Sequence, residues 1–297
     1  MGSVLRWVLR SLSWLAGVLP LRVSYAISTL FALGVYVFWR KGRQSALENL
    51  RHVLGPAASE AQVRRTARRA IRNFCKVLVE FLRLPLMREE EIARAVQQVQ
   101  GKEHLLALRD THRGVLIATL HFGNWDIAAL SMIHWGLPVH AIVDSYDDPG
   151  FDAEARSYRT QRGIQVIPIG MAVRQVYRLL KEGGVVATAF DVPASLDNGG
   201  VPVQFFDGTI VAPAGPARLA LRTGAAIATG VCIRQPDGTF LGWFNPPIEI
   251  QSTGDEERDV QVLTQAIARE CEDFVRRYPD QWYIFRPMWV DGPTLQG

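Results

Sequence analysis

Cysteine is scarce in this chain of 297 residues: Cys75, Cys232 and Cys271 stand far apart, with no CxxC pair. That spacing excludes a disulfide framework and a zinc-finger pattern, and it fits a reducing compartment. Also missing are the GxSxG turn of serine hydrolases and the HExxH helix of zinc proteases. No repeat of fixed period and no low-complexity tract is present. Acidic residues are nearly absent from the N-terminal part. Residues 1–83 carry 14 Lys/Arg against Glu48, Glu60 and Glu80, whereas the remainder carries 19 bases and 26 acids. Charge of either sign is absent from VSYAISTLFALGVYVFW, residues 23–39. A basic, Leu-, Val- and Trp-rich start ahead of an acidic body favours anionic membrane lipids, and not nucleic acid, as partner.

What is present at the N-terminus has two parts. In MGSVLRWVLRSLSWLAGVLP the apolar residues Val4, Leu5, Trp7, Val8, Leu12, Trp14, Leu15 and Val18 fall largely on one helical face, with Arg6 and Arg10 among them. This reads as an interfacial amphipathic helix rather than a signal peptide. The uncharged stretch after Pro20 is closed by Arg40, Lys41 and Arg43. Its 17 residues are at the short limit of a membrane span. A short span, a hairpin lying on or dipping into the membrane, and a helix docked on the body all remain open. In each case the body stays at the cytoplasmic face of the plasma (inner) membrane. The chain therefore divides into membrane-associated helices at 1–43 and a domain at 44–297 that includes N-terminal helices over 44–98. Within these, SEAQ (59–62) is a capping-box start, and Leu84-Pro85 is a stop.

Beyond residue 95 the texture changes. Short apolar runs (VLIAT at 115–119, VHAIV at 139–143, IQVIPI at 164–169, VVATAF at 185–190, AAIATGVCI at 225–233, FLGWF at 240–244) alternate with helical patterns at 125–135, 151–162, 172–182 and 214–223. A last helix is expected over roughly 256–278. The alternation predicts an α/β fold, with a largely parallel central sheet flanked by helices.

HFGNWD (121–126) falls where the run GVLIATL (114–120) ends. In open α/β sheets ligands bind at this carboxyl edge. Asn124 is placed to cap a helix starting near Trp125, with Asp126 in its first turn. An imidazole titrates near neutrality and can take a proton from an alcohol, and a carboxylate can fix its tautomer. Amides at the helix start are candidates to face a developing oxyanion. With no protein nucleophile nearby, the substrate's own hydroxyl is the expected attacker. Two rival readings are a metal-dependent hydrolase using His121, Asp126, His140 and Asp144, and an inactive membrane-bound scaffold.

HFGNWD resembles the HX4D/E motif of the glycerolipid acyltransferase superfamily. Its wording resembles the branch containing the bacterial lipid A biosynthesis acyltransferases and phosphatidylinositol mannoside acyltransferases. The likeness continues through ALENLRHVLG (46–55), RRAIRNFCKVLVEFLRLP (68–85), YRTQRGIQVIPIG (158–170), LLKEGGVVATAFDVPASLDNGGVPVQFFDG (179–208), PAGPARLALRTGAAI (213–227) and RRYPDQWYIFRPMW (276–289). The resemblance implies acyl transfer from acyl-CoA or acyl carrier protein to a hydroxyl of a glycolipid or lipid A-like acceptor. His121 is then the general base and Asp126 its carboxylate partner. Asn124 shapes the turn, Arg159 and neighbouring Arg162 bind substrate phosphate, and Asp191 is a site residue of unassigned role. Neither metal nor a cofactor beyond the acyl donor is implied. The residues after Asp191 are Val192-Pro193, where relatives often carry a charge, and the FPEG-type block of the glycerol-phosphate branch is absent.

Overall fold

The computed structural model describes residues 2–250 and 252–290. Four helices come first: α1 (Gly2–Val18), α2 (Leu21–Phe38), α3 (Arg40–Leu54) and α4 (Glu60–Arg83). Ser59 opens α4 as expected, its hydroxyl accepting from the Gln62 amide while the Gln62 side chain accepts from the Ser59 amide. After α4 the chain alternates: α5 (Glu89–Ala95), β1 (Val96–Gln100), α6 (Lys102–Asp110), β2 (Val115–Thr119), α7 (Trp125–His134), β3 (Val139–Val143) and α8 (Pro149–Thr160). There follow β4 (Gln165–Pro168), α9 (Ala172–Lys181), β5 (Val185–Ala189), β6 (Gly200–Phe205), β7 (Gly208–Pro213), α10 (Gly215–Thr223), β8 (Ala226–Arg234), β9 (Phe240–Phe244) and α11 (Glu256–Arg277).

Seven strands form one sheet in the order β1-β9-β8-β2-β5-β3-β4. All neighbours pair parallel except β8 and β9, which are antiparallel. The apolar runs are buried on both faces, as parallel strands covered by helices must be. In β2, Leu116 and Ala118 join the core under α11, with Ile267 and Phe274. Val115 and Ile117 join the opposite core under α7, with Ile127 and Leu130.

Two segments depart from expectation. The helical reading of 44–98 runs into β1, a strand beginning at Val96 whose VQQVQ offers too few apolar residues to declare itself. The glycines of GGVPVQFF mark a two-stranded hairpin, β6 against β7, registered from Gly200↔Pro213 to Phe205↔Gly208. It lies on α11, where Gln265 and Glu272 receive the Gln204 and Phe206 amides.

The N-terminal pair docks on α4. Helix α2 buries only small side chains, Ser24, Ser28 and Ala32. It leaves Leu30 73% and Phe38 84% exposed. Among the described helices it alone is long and apolar enough to cross a membrane by length and composition. Trp7 and Trp14 of α1 are likewise exposed. A continuous apolar face of this size on a folded chain marks an interaction surface.

Candidate active site

Strand β2 delivers the HFGNWD turn to the carboxyl edge of the sheet, between β8 and β5. Gly123 is required there. Its φ is +56°, and a Cβ would lie 1.7 Å from the Cys232 carbonyl oxygen. The closeness is used: the Asn124 amide donates to that carbonyl at 3.0 Å, and the Gly123 amide donates to Gln281 O at 2.9 Å. Asn124 caps α7, accepting from the Ile127 amide at 2.9 Å. Local chemistry thus shapes the turn as the sequence implies. The amides of Phe122, Gly123 and Asn124 are already bonded to carbonyls. Any oxyanion contact from the backbone would therefore have to come from later in the helix start.

The carboxylate partner of His121 is Asp191, and this corrects the expectation for Asp126. Asp191 follows β5, the strand beside β2. Its Oδ1 is 2.8 Å from His121 Nδ1, and the carboxylate also accepts from the His121 amide at 3.0 and 3.1 Å. Trp282 Nε1 donates to Oδ2 at 2.9 Å, and Arg286 Nη2 donates to the Asp191 carbonyl at 2.7 Å. Asp191 is 1% exposed, whereas the His121 side chain keeps 40% of its surface open. Trp125 meets the imidazole edge-on at 5.3 Å between ring centres.

Burial opposes a charge on His121, as do the cations of Arg286 and Arg159. The charge and hydrogen bond of Asp191 outweigh them, and the imidazole pKa is raised above its ordinary 6.5. The enclosure of the ring and its open edge are both real: protein surrounds it on most sides, and one edge reaches solvent.

Asp126 points elsewhere. It is 4% exposed and forms a two-point pair with Arg159 of α8, at 2.6 Å to Nε and 3.2 Å to Nη2. The physical reason is helix geometry. In the first turn of α7, Asp126 points at Arg159 of α8, and the bidentate fork of an arginine matches it better than an imidazole. Arg159 is thereby committed to a carboxylate. Arg162 donates to the Leu84 and Pro85 carbonyls at 2.9 and 2.6 Å, which ties down the end of α4. His140 turns Nδ1 to the Val185 carbonyl, and Asp144 accepts from the Ser145 amide, so neither joins His121. Among the described residues, no three His, Cys, Asp or Glu side chains converge as metal donors would.

Three contributors escaped the sequence reading. Trp282 and Arg286 lie in the block RRYPDQWYIFRPMW, more than 90 positions from Asp191 in the chain. Glu80 receives Asn124 Nδ2 at 2.6 Å. Its signal was present: a carboxylate three positions after Val77, on the buried stripe of α4, and four before the buried Leu84 that follows the helix.

The model of the family described as bacterial lipid A biosynthesis acyltransferase matches residues 2–290. The chain belongs to this family. It is accordingly an acyltransferase of lipid biosynthesis. The chain is 26% identical over 264 residues to the phosphatidylinositol mannoside acyltransferase of Mycolicibacterium smegmatis, covering 88% of this chain and 84% of that one. With the phosphatidylinositol mannoside acyltransferase of Mycobacterium tuberculosis (strain CDC 1551 / Oshkosh) it shares 28% over 273 residues, 90% of this chain and 83% of the other. A lipid acyltransferase must remove a hydroxyl proton while an acyl bond forms. At the carboxyl edge of this sheet, the histidine with one nitrogen engaged by a buried carboxylate and an edge in the open is His121.

Proposed function

We propose that this acyltransferase moves a fatty acyl chain from a thioester, acyl-CoA or acyl carrier protein, to a hydroxyl of a glycolipid at the cytoplasmic face of the membrane. His121 is the general base. The observation that carries this reading is the 2.8 Å contact of His121 Nδ1 with a sealed Asp191, beside an imidazole edge that remains accessible. With Nδ1–H donating to Asp191, the lone pair sits on Nε2. The acceptor hydroxyl gives its proton to Nε2 as its oxygen attacks the thioester carbonyl. Asp191 stabilises the imidazolium that results. Collapse of the tetrahedral intermediate expels the thiolate, which takes the proton back from Nε2, leaving an ester and a free thiol.

The glycolipid acceptor is supported by the family description and by the names of the relatives. Membrane seating is supported by α1 and α2. Helix α2 runs along α4, from Tyr25 beside Glu80 to Tyr36 beneath the Arg68 guanidinium. Helix α4 also exposes Arg64, Arg65, Arg68, Arg69 and Arg72. A helix fixed along its length to so basic a partner lies in the interface, apolar face to the acyl chains and arginines to the phosphates. This favours a peripheral seat over a span.

The test is direct. Purified protein is given palmitoyl-CoA or palmitoyl-acyl carrier protein and vesicles carrying phosphatidylinositol mannosides, a lipid A precursor or, as control, lysophosphatidate. Products are read by mass spectrometry. One glycolipid class gains one acyl chain, and His121→Ala lowers that gain by about 10²–10⁴-fold, the usual contribution of a general base. Turnover unchanged by His121→Ala would overturn the mechanism.

A further inference from the structure

Asn124 and the N-terminal hairpin meet at one buried carboxylate. Glu80, 6% exposed, receives donors from three side chains on three elements. Arg234, the last residue of β8, donates Nη1 and Nη2 to its two oxygens at 2.5 and 2.7 Å. Asn124 of the HFGNWD turn donates Nδ2 to Oε2 at 2.6 Å. Tyr25 of α2 donates its hydroxyl to Oε1, and that same hydroxyl accepts from Arg234 Nη1 at 3.1 Å. The cluster has little slack. Arg234 Nε and the Tyr283 hydroxyl are buried with no hydrogen-bond partner among the described residues, so Glu80 is the counter-charge on which the guanidinium depends.

A second tie runs in parallel. Helix α1 holds α8 through Arg10–Glu154 at 2.8 Å, and α8 supplies Arg159 to Asp126. Both polar residues that follow Gly123 in the motif are thus held by elements on which the hairpin sits. A purely structural ion pair would not need to pass through the side chain that caps α7.

We propose that Glu80 is a positioning residue of the acyl-transfer site, acting through Asn124, and that the Tyr25 hydroxyl makes this positioning depend on the seating of α2. The inference rests on the reading of His121 as base. Tyr25 ties the helix that faces the lipid to the carboxylate that orients the turn. When α2 sits on α4, Glu80 is fixed by Tyr25 and Arg234, Asn124 is fixed by Glu80, and the start of α7 is set beside His121. When α2 lifts away, Glu80 loses one anchor and the turn loosens. Full activity then requires the hairpin to be in place, which is the state at a membrane surface.

The experiment uses the full chain on acceptor-bearing vesicles and compares Tyr25→Phe, Glu80→Gln and the double variant Glu80→Gln/Arg234→Met. Glu80→Gln alone strands a buried guanidinium and is expected to unfold more easily. The double variant removes both charges and restores thermal stability. Two readouts are taken: kcat and KM for acceptor and donor, and amide hydrogen exchange of residues 121–128. The expected result is a kcat at least 10-fold lower in the double variant, with both KM values within 2-fold and stability recovered. In Tyr25→Phe kcat is about 3–10-fold lower while vesicle binding is unchanged. Exchange of 121–128 rises in both. Recovery of kcat together with stability in the double variant overturns the proposal, since the cluster is then structural alone. Unchanged exchange in Tyr25→Phe overturns the tie to α2. Exchange does not depend on catalysis: should the wild-type protein transfer no acyl chain while exchange responds as stated, it is the functional reading that fails and not this one.

Discussion

Asp191 and Asp126 are 1% and 4% exposed on the two sides of the HFGNWD turn, yet one holds a titratable ring and the other a permanent cation. On the Asp191 side the partner keeps an open edge, and its charge can change within the ordinary pH range. On the Asp126 side both members are sealed, with side chains 12% and 6% accessible for Arg159 and Asp126. The pairing partner, more than the carboxylate itself, decides which side does chemistry. A carboxylate beside a guanidinium holds a helix still. A carboxylate beside an imidazole fixes a tautomer and shifts a proton affinity.

The largest effect expected from breaking this contrast is at Asp191. Asp191→Asn removes the charge that raises the His121 pKa and leaves burial and Arg286 to lower it. With the neutral ring as base, as proposed, kcat/KM of the wild-type protein rises with pH through an apparent pKa above 6.5. In Asp191→Asn that limb moves below 6.5, and the plateau falls by roughly 10³–10⁴-fold as the tautomer and the imidazolium lose their support. A pH–rate series on both proteins checks the pair of changes. The stability contribution has the opposite sense. A folded-state pKa raised above the unfolded value gives stability that is complete below about 6.5 and is lost as pH rises through the folded value. The wild-type protein therefore gains activity where this single contact gives up stability.

Asp126→Asn should act in the other currency. Removing one member of a buried pair costs about 3–5 kcal/mol, read by urea or thermal unfolding. Turnover falls with the disturbed turn, but the pH limb stays where it is. A limb that moved in Asp126→Asn and not in Asp191→Asn would reverse the assignment of the two carboxylates. The smallest change expected is Arg159→Lys, which keeps the charge and loses the fork. It costs roughly 1.5–3 kcal/mol, as for one hydrogen bond to a charged group, again with no movement of the limb.

The sequence shows what local physics sets. VLIAT and VVATA read as buried parallel strands because both of their faces are apolar, and they are β2 and β5. Ser59 and Asn124 are legible as caps because the amides they bind lie three positions on. The identity of the partner for His121 was hidden for a matching reason. Asp126 is five positions away and looks available, whereas Asp191 is 70 positions away and arrives only because β5 pairs with β2. Arg159 follows the same rule: 33 positions separate it from Asp126, and only the fold brings them together. The small strand β1 was illegible because VQQVQ lacks an apolar run, and β6 because Pro202 interrupts the alternation of Val201, Val203 and Phe205 and so argues against a strand.

The indole of Trp282 and the guanidinium of Arg286 reach Asp191 from a segment that the ribosome makes long after α1 and α2. On the reading proposed above, a nascent chain can thus settle on lipid long before the His121–Asp191 pair is closed. Birth order separates arrival at the bilayer from competence to modify it, and a chain cut short before Trp282 would be delivered to its substrate unarmed.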